Sequence, residues 1–165
     1  MLFIPGTSRG DEVWIATKDG GITVSRASTW TRYDARFTGL PQNDVNGIAY
    51  SVANDLVWSA LATQCVASVD VDASTWTRLT TVTGFASNLA TGVAIRDVSG
   101  TEELWVGTQT GLSVRRVGET PEIINYIKGS GLPAERVRTL RADRNGEIWA
   151  CFIDAGAARV VSYEK

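Results

Sequence analysis

Apolar residues arrive in short runs of about 5–7, each closed by a cluster of Gly, Asn, Asp or Ser. Four runs carry a tryptophan in the same setting: Val13-Trp14-Ile15-Ala16, Val57-Trp58-Ser59-Ala60, Leu104-Trp105-Val106-Gly107 and Ile148-Trp149-Ala150-Cys151. These tryptophans are 44, 47 and 44 residues apart. Ala27-Ser28-Thr29-Trp30-Thr31-Arg32 returns letter for letter as Ala73-Ser74-Thr75-Trp76-Thr77-Arg78, 46 residues on. Gly39-Leu40-Pro41 returns as Gly131-Leu132-Pro133 after 92 residues, two such periods. Three markers with one period define four repeats, approximately 1–36, 37–82, 83–127 and 128–165, within a single domain spanning 1–165.

A period of about 40–50 residues belongs to propellers or helical solenoids. No long segment holds an unbroken i, i+3, i+4, i+7 stripe, and Val, Ile, Thr, Trp and Tyr fill the runs, so the elements are strands. They are predicted at 2–4, 12–17, 22–25 and 29–33, at 45–50, 56–61, 65–71 and 75–80, at 91–96, 103–108, 112–116 and 123–127, and at 137–142, 147–152 and 158–163. The predicted fold is all-β: a β-propeller of about four blades of four antiparallel strands, the last incomplete, with half of a larger ring as one arrangement. A blade's second strand lies between neighbouring blades, so Trp14, Trp58, Trp105 and Trp149 are predicted core. The small residues two places on, Ala16, Ala60, Gly107 and Cys151, leave room for the indole.

The stretch from Val137 through Asp143 and Gly146 to Ile148-Trp149, Leu104-Trp105-Val106-Gly107-Thr108-Gln109-Thr110-Gly111-Leu112, and Glu12-Val13-Trp14-Ile15-Ala16-Thr17-Lys18-Asp19-Gly20-Gly21-Ile22 all follow one pattern. The pattern resembles the two-component regulator propeller repeat family. Repeat two departs from it, since Ala60-Leu61-Ala62-Thr63-Gln64-Cys65 lacks both the Gly-Thr and the Gly-Leu, and repeat three carries extra residues around 97–101. The resemblance implies propeller blades and, in the family's usual setting, an extracytoplasmic sensor of a membrane kinase. This chain has no kinase or membrane segment, so only the fold carries over.

Composition narrows the chemistry. The 165 residues include 16 Lys+Arg against 18 Asp+Glu, a net charge of −2, which argues against nucleic-acid binding through a broad basic surface. There is no histidine, which closes Ser-His-Asp catalysis and His ligation. The two cysteines, Cys65 and Cys151, cannot build a zinc site and are predicted as buried small apolar residues. No cofactor or metal is expected. No apolar run approaches the length of a membrane span, and Met1-Leu2-Phe3-Ile4-Pro5-Gly6 lacks the basic start of a signal peptide, so a soluble chain of unassigned compartment is expected.

Asp143-Arg144-Asn145-Gly146 opens like an acidic calcium loop but lacks the later oxygen ligands, so a hairpin turn is the better reading, and Asp97 is read as a turn cap too. The arginines at 136, 138, 141 and 144 are interleaved with acids and read as a solvated face. Trp30 and Trp76 are candidate exposed aromatics on outermost strands. The loops at one end differ between repeats while the core recurs. Lys18, Asp19, Asn43, Asp44, Gln64, Asn88, Gln109, Glu135, Arg136 and Asp154 are therefore the candidate contact residues for one asymmetric partner. The expected function is a non-catalytic interaction or scaffold module with a protein partner or a second copy. A ligand-sensing or carbohydrate-binding propeller is the alternative, and a propeller lyase or hydrolase ranks below both. An arc that does not close on itself would expose apolar flanks, so pairing of two copies, completion by another chain, or membership of a longer protein is expected, with a compact four-bladed monomer as the rival.

Overall fold

The computed structural model describes residues 1–7, 9–70, 75–116 and 122–160. Four antiparallel sheets follow one another along the chain. Sheet I holds β1 (Leu2–Thr7), β2 (Gly10–Ala16), β3 (Ile22–Arg26) and β4 (Thr29–Tyr33). Sheet II holds β5 (Val45–Ser51), β6 (Leu56–Leu61), β7 (Cys65–Asp70) and β8 (Trp76–Leu79). Sheet III holds β9 (Ala90–Val98), β10 (Thr101–Thr108), β11 (Gly111–Arg116) and β12 (Ile123–Tyr126). Sheet IV holds β13 (Val137–Ala142), β14 (Ile148–Phe152) and β15 (Gly156–Val160). Every sheet is an up-and-down meander in chain order, the build of a propeller blade, and the fold is an all-β partial propeller. Residue 71 and residues 161–163, expected to extend strands, lie outside the described residues. Among the described residues the one helix is a 3-10 turn at Thr81–Thr83, and no helix is long and apolar enough to cross a membrane.

The turns explain why the repeat keeps its glycines. Gly21 and Gly111 end the turns after β2 and β10 with φ of +77° and +134°. A Cβ on either would stand 2.2 or 2.1 Å from the carbonyl oxygen of Tyr33 or Tyr126, which no side chain tolerates. The Thr17 and Thr108 hydroxyls donate to the Gly21 and Gly111 carbonyls at 2.9 Å, so the threonine and glycine of each repeat act as one turn. In sheet II the same place is taken by Cys65, held at φ +60°.

Three apolar clusters lie between consecutive sheets: I with II, II with III, and III with IV. The register assigns each residue to a face. On the forward face, toward the next sheet, stand Trp14, Trp58 and Trp105, all buried. On the backward face stand their neighbours, such as Val57 and Leu104, which fill the preceding seam. Tyr33 and Tyr126, on the outermost strands, stack on Trp14 and Trp105 at 5.7 and 6.2 Å.

Two tryptophans depart from expectation. Trp149 is not core: it is 43% exposed, because no fifth sheet covers its face and no outer-strand ring stacks on it among the described residues. Trp76 is not exposed. Its backward position turns it into the seam with sheet I, where it meets the edge of Tyr33 at 6.0 Å. Trp30, at the same place in sheet I, is 60% exposed. Cys65 is buried, Cys151 is half-buried, and both are free thiols.

Candidate functional site

One end of the arc gathers the turns after each second strand and the loops between sheets, and backbone hydrogen bonds knit the two. Gly21 N–H donates to the Asn43 carbonyl at 3.0 Å and Ala62 N–H to the Asp44 carbonyl at 3.1 Å. Cys65 N–H donates to the Asn88 carbonyl at 2.8 Å and Ile153 N–H to the Arg136 carbonyl at 3.0 Å. Side chains brace the loops further. The Asn43 Oδ1 accepts from Ala35 N–H at 2.7 Å, and the Asn88 Oδ1 accepts from Thr81 N–H at 2.9 Å. Gln64 accepts from Arg78, and Arg136 grips Asp154 through both carboxylate oxygens.

The ten loop residues singled out from sequence therefore share one end but not one role. Asn43, Asp44, Gln64 and Asn88 are half-buried, and their side chains or carbonyls frame the loops. Arg136 and Asp154 are exposed but engaged with each other. Lys18, Asp19, Gln109 and Glu135 are exposed.

The residues missed were apolar. Phe37 is 78% exposed and Val82 94% exposed, each at the crest of an inter-sheet loop. Their loops are folded by equivalent devices: Thr38 Oγ1 receives Asp34 N–H at 2.7 Å, and Thr83 Oγ1 receives Thr80 N–H at 2.9 Å. The signal lay in the repeat, since Phe37 stands two residues before Gly39 and Val82 two before Gly84. Arg36 lies over the Phe37 ring at 5.3 Å.

The concave side offers less chemistry. A cleft there is lined by Leu2, Ile48, Tyr50, Val93, Ile95 and Arg141. Among the described residues no group of three metal-ligand side chains comes together. Asp143 caps its turn: Oδ1 accepts from the Glu147 and Asn145 amides, and Oδ2 accepts from the Trp149 indole at 3.2 Å. The Glu147 amide leads the hydrogen bonds that hold its carboxyl below the usual carboxylate range. Asp97 likewise accepts from Gly100 N–H at 2.9 Å.

The buried charge sits at the opposite end, near the first seam. Glu12 is fully buried and accepts from the Trp14 indole at 2.8 Å, from Arg9 at 2.7 Å and from Arg26 at 2.9 Å. Burial pushes its carboxyl up, but the bonds from Arg9 and Trp14 and the two guanidinium charges outweigh burial and hold it low. Asp55 is lowered too, first by Arg9 and then by the Tyr50 hydroxyl. Burial, with the Asp55 hydrogen bond, pushes the Tyr50 hydroxyl up to about 12. Glu103 repeats the Glu12 pattern with Trp105 and Arg116 at 3.0 and 3.1 Å. The recurrence of these Glu–Trp–Arg contacts marks them as a device of the repeat.

No protein-family model matches the chain, and no curated protein does. Solved structures do. The chain is similar to the extracellular domain of a hybrid two-component system of B. thetaiotaomicron, at 23% identity and TM-score 0.71, over 96% of this chain and 22% of that one. It is similar to the WD40 repeats of RRP9, at 16% identity and TM-score 0.59, over 90% of this chain and 47% of that one. A virginiamycin B lyase from Staphylococcus aureus matches at 14% identity and TM-score 0.59, over 95% of this chain and 53% of that one. These likenesses establish the propeller fold. The chain spans only part of each matched protein, about a fifth of the first.

Proposed function

We propose that this chain is a non-catalytic propeller module of the two-component regulator repeat type, which engages a protein partner through its loop end. One observation carries the reading: Phe37 and Val82 stand exposed at equivalent loop crests on a braced frame. Apolar side chains lifted on hydrogen-bonded loops gain free energy when a partner covers them and lose little entropy in the process. Around them Lys18, Asp19, Gln109 and Glu135 supply an asymmetric polar rim of the sort interfaces use. The non-catalytic part of the reading rests on the mainly apolar concave cleft and on acids committed to turns and seams. The carbohydrate alternative loses its main support, because Trp76 is packed on Tyr33 and does not form a repeated platform with Trp30.

The test is affinity capture from an extract of the source cells with the wild-type chain and a Phe37→Asp, Val82→Asp variant. A stoichiometric protein retained by the first and lost by the second, with melting temperature unchanged, is the expected result. Equal capture by both would refute the loop-end site.

A further inference from the structure

In three of the four sheets the central indole N–H donates to a carboxylate: Trp14 to Glu12 at 2.8 Å, Trp105 to Glu103 at 3.0 Å and Trp149 to Asp143 at 3.2 Å. In sheets I and III that carboxylate also accepts from an arginine on the neighbouring strand, Arg26 at 2.9 Å or Arg116 at 3.1 Å. A tyrosine of the outermost strand then stacks on the ring. Sheet II keeps the tryptophan and loses the rest. Leu56 stands two residues before Trp58, in the place of Glu12 and Glu103. Asp70 stands across from it, in the place of Arg26 and Arg116. Leu79, across from Val66, holds the place of Tyr33 and Tyr126.

These replacements leave a cleft of about 370 Å³ at Trp58, lined by Leu56, Ser68, Thr77 and Leu79 of sheet II and by Arg115 of sheet III. The Arg115 guanidinium lies 5.9 Å from the Trp58 ring centre, much as that of Arg26 lies 5.5 Å from the Trp14 ring. What is missing is the acid that joins cation and indole in sheet I. Among the described residues neither the Arg115 guanidinium nor the Trp58 indole N–H has a hydrogen-bond acceptor, and Asp70, also on the wall, makes no ion pair with Arg115. The Ser68 hydroxyl has no partner there either, in a residue only 4% exposed, where sheets I and III carry Val24 and Val114. Burial pushes the Arg115 guanidinium pKa down, as it does for a cation without a compensating charge. Three donors therefore line a space that other sheets fill with a carboxylate, and an acceptor placed there would recover the cost of leaving them unpaired.

We propose that this cleft binds a small organic carboxylate, whose acid group takes the place that Glu12 and Glu103 fill in sheets I and III. The carboxylate accepts from the Arg115 guanidinium, the Trp58 indole and the Ser68 hydroxyl, and its apolar body lies on Leu56 and Leu79. A bare inorganic anion would satisfy the donors and leave both leucines wet, so the apolar body is part of the recognition. None of these residues belongs to the loop-end surface, so the cleft and the partner site at Phe37 and Val82 can fail separately.

Nuclear magnetic resonance of the nitrogen-labelled chain reads the cleft through the Trp58 indole N–H signal, assigned by its loss in Trp58→Phe. Benzoate and phenylacetate are titrated at constant pH and ionic strength, beside benzamide and sulfate. The two carboxylates are expected to shift the Trp58 signal saturably at millimolar concentration or below. Benzamide, which lacks the charge, and sulfate, which lacks the apolar body, are expected to bind roughly tenfold more weakly or worse. Arg115→Gln is expected to weaken carboxylate binding by a similar factor. Leu56→Glu, which restores the internal acid, and Leu79→Tyr, which fills the cleft, are each expected to abolish binding with the circular dichroism spectrum unchanged. Phe37→Asp with Val82→Asp is expected to bind as the wild type does. No saturable shift with either carboxylate, equal binding of benzamide or sulfate, or undiminished binding by Arg115→Gln or by folded Leu79→Tyr would each overturn the proposal.

Discussion

Gly111 stands where the chain turns from β10 into β11, at φ +134°, with the Tyr126 carbonyl against its missing side chain. Gly111→Ala adds a Cβ 2.1 Å from that oxygen and so displaces β12 or the turn. The expected cost is about 3 kcal/mol, read as a lower urea midpoint with the slope unchanged. Gly100, also at positive φ but with open space around it, tolerates the same change with a smaller loss. The tryptophans carry the complementary lesson. Their spacing told which strand each belongs to and which way it points. Exposure was not legible, because it depends on the sheet beyond. Trp149 has the sequence surroundings of Trp105 and is open for want of a neighbour. Trp76 and Trp30 share six identical residues, yet only Trp76 has a sheet in front of it. Cys65 in place of a turn glycine gave no sequence signal of its positive φ, because a cysteine there breaks the repeat pattern that marks the turn.

At the scale of strands and turns, the period was enough to place nearly every element. β4, β6 and β13 match their expected bounds, since their runs of Thr, Trp, Val and Leu give way to turn segments. β9 and β10 run longer than expected, because the extra residues of repeat three extend the hairpin through a tight turn at Ser99-Gly100 instead of forming a loop. The buried charges of the first seam were not read from sequence: nothing local says that Arg9, in a turn, will meet Asp55 46 residues on. They set a pH dependence. Glu12 and Asp55 bind protons less readily folded than unfolded. Their stabilising effect is therefore present above the ordinary carboxylate range and is lost as pH falls through their lowered folded values. The urea midpoint is expected to drop between about pH 5 and about pH 2. Arg9→Met is expected to flatten that drop, because it removes the guanidinium that lowers both groups. An unflattened acid limb would mean that other carboxylates govern it.

At the scale of the molecule, four like sheets follow one another, and each of the three seams between them joins the tryptophan-bearing face of one sheet to the residues flanking the tryptophan of the next. The loops at one end are braced on that frame and lift Phe37 and Val82 at equivalent crests. The most direct measurement is affinity capture with the wild-type chain and with the Phe37→Asp, Val82→Asp variant, each checked by its melting temperature. A stoichiometric protein retained by the wild-type chain and lost by an equally stable variant is the predicted result. Equal capture by both chains would contradict a partner site at the loop end.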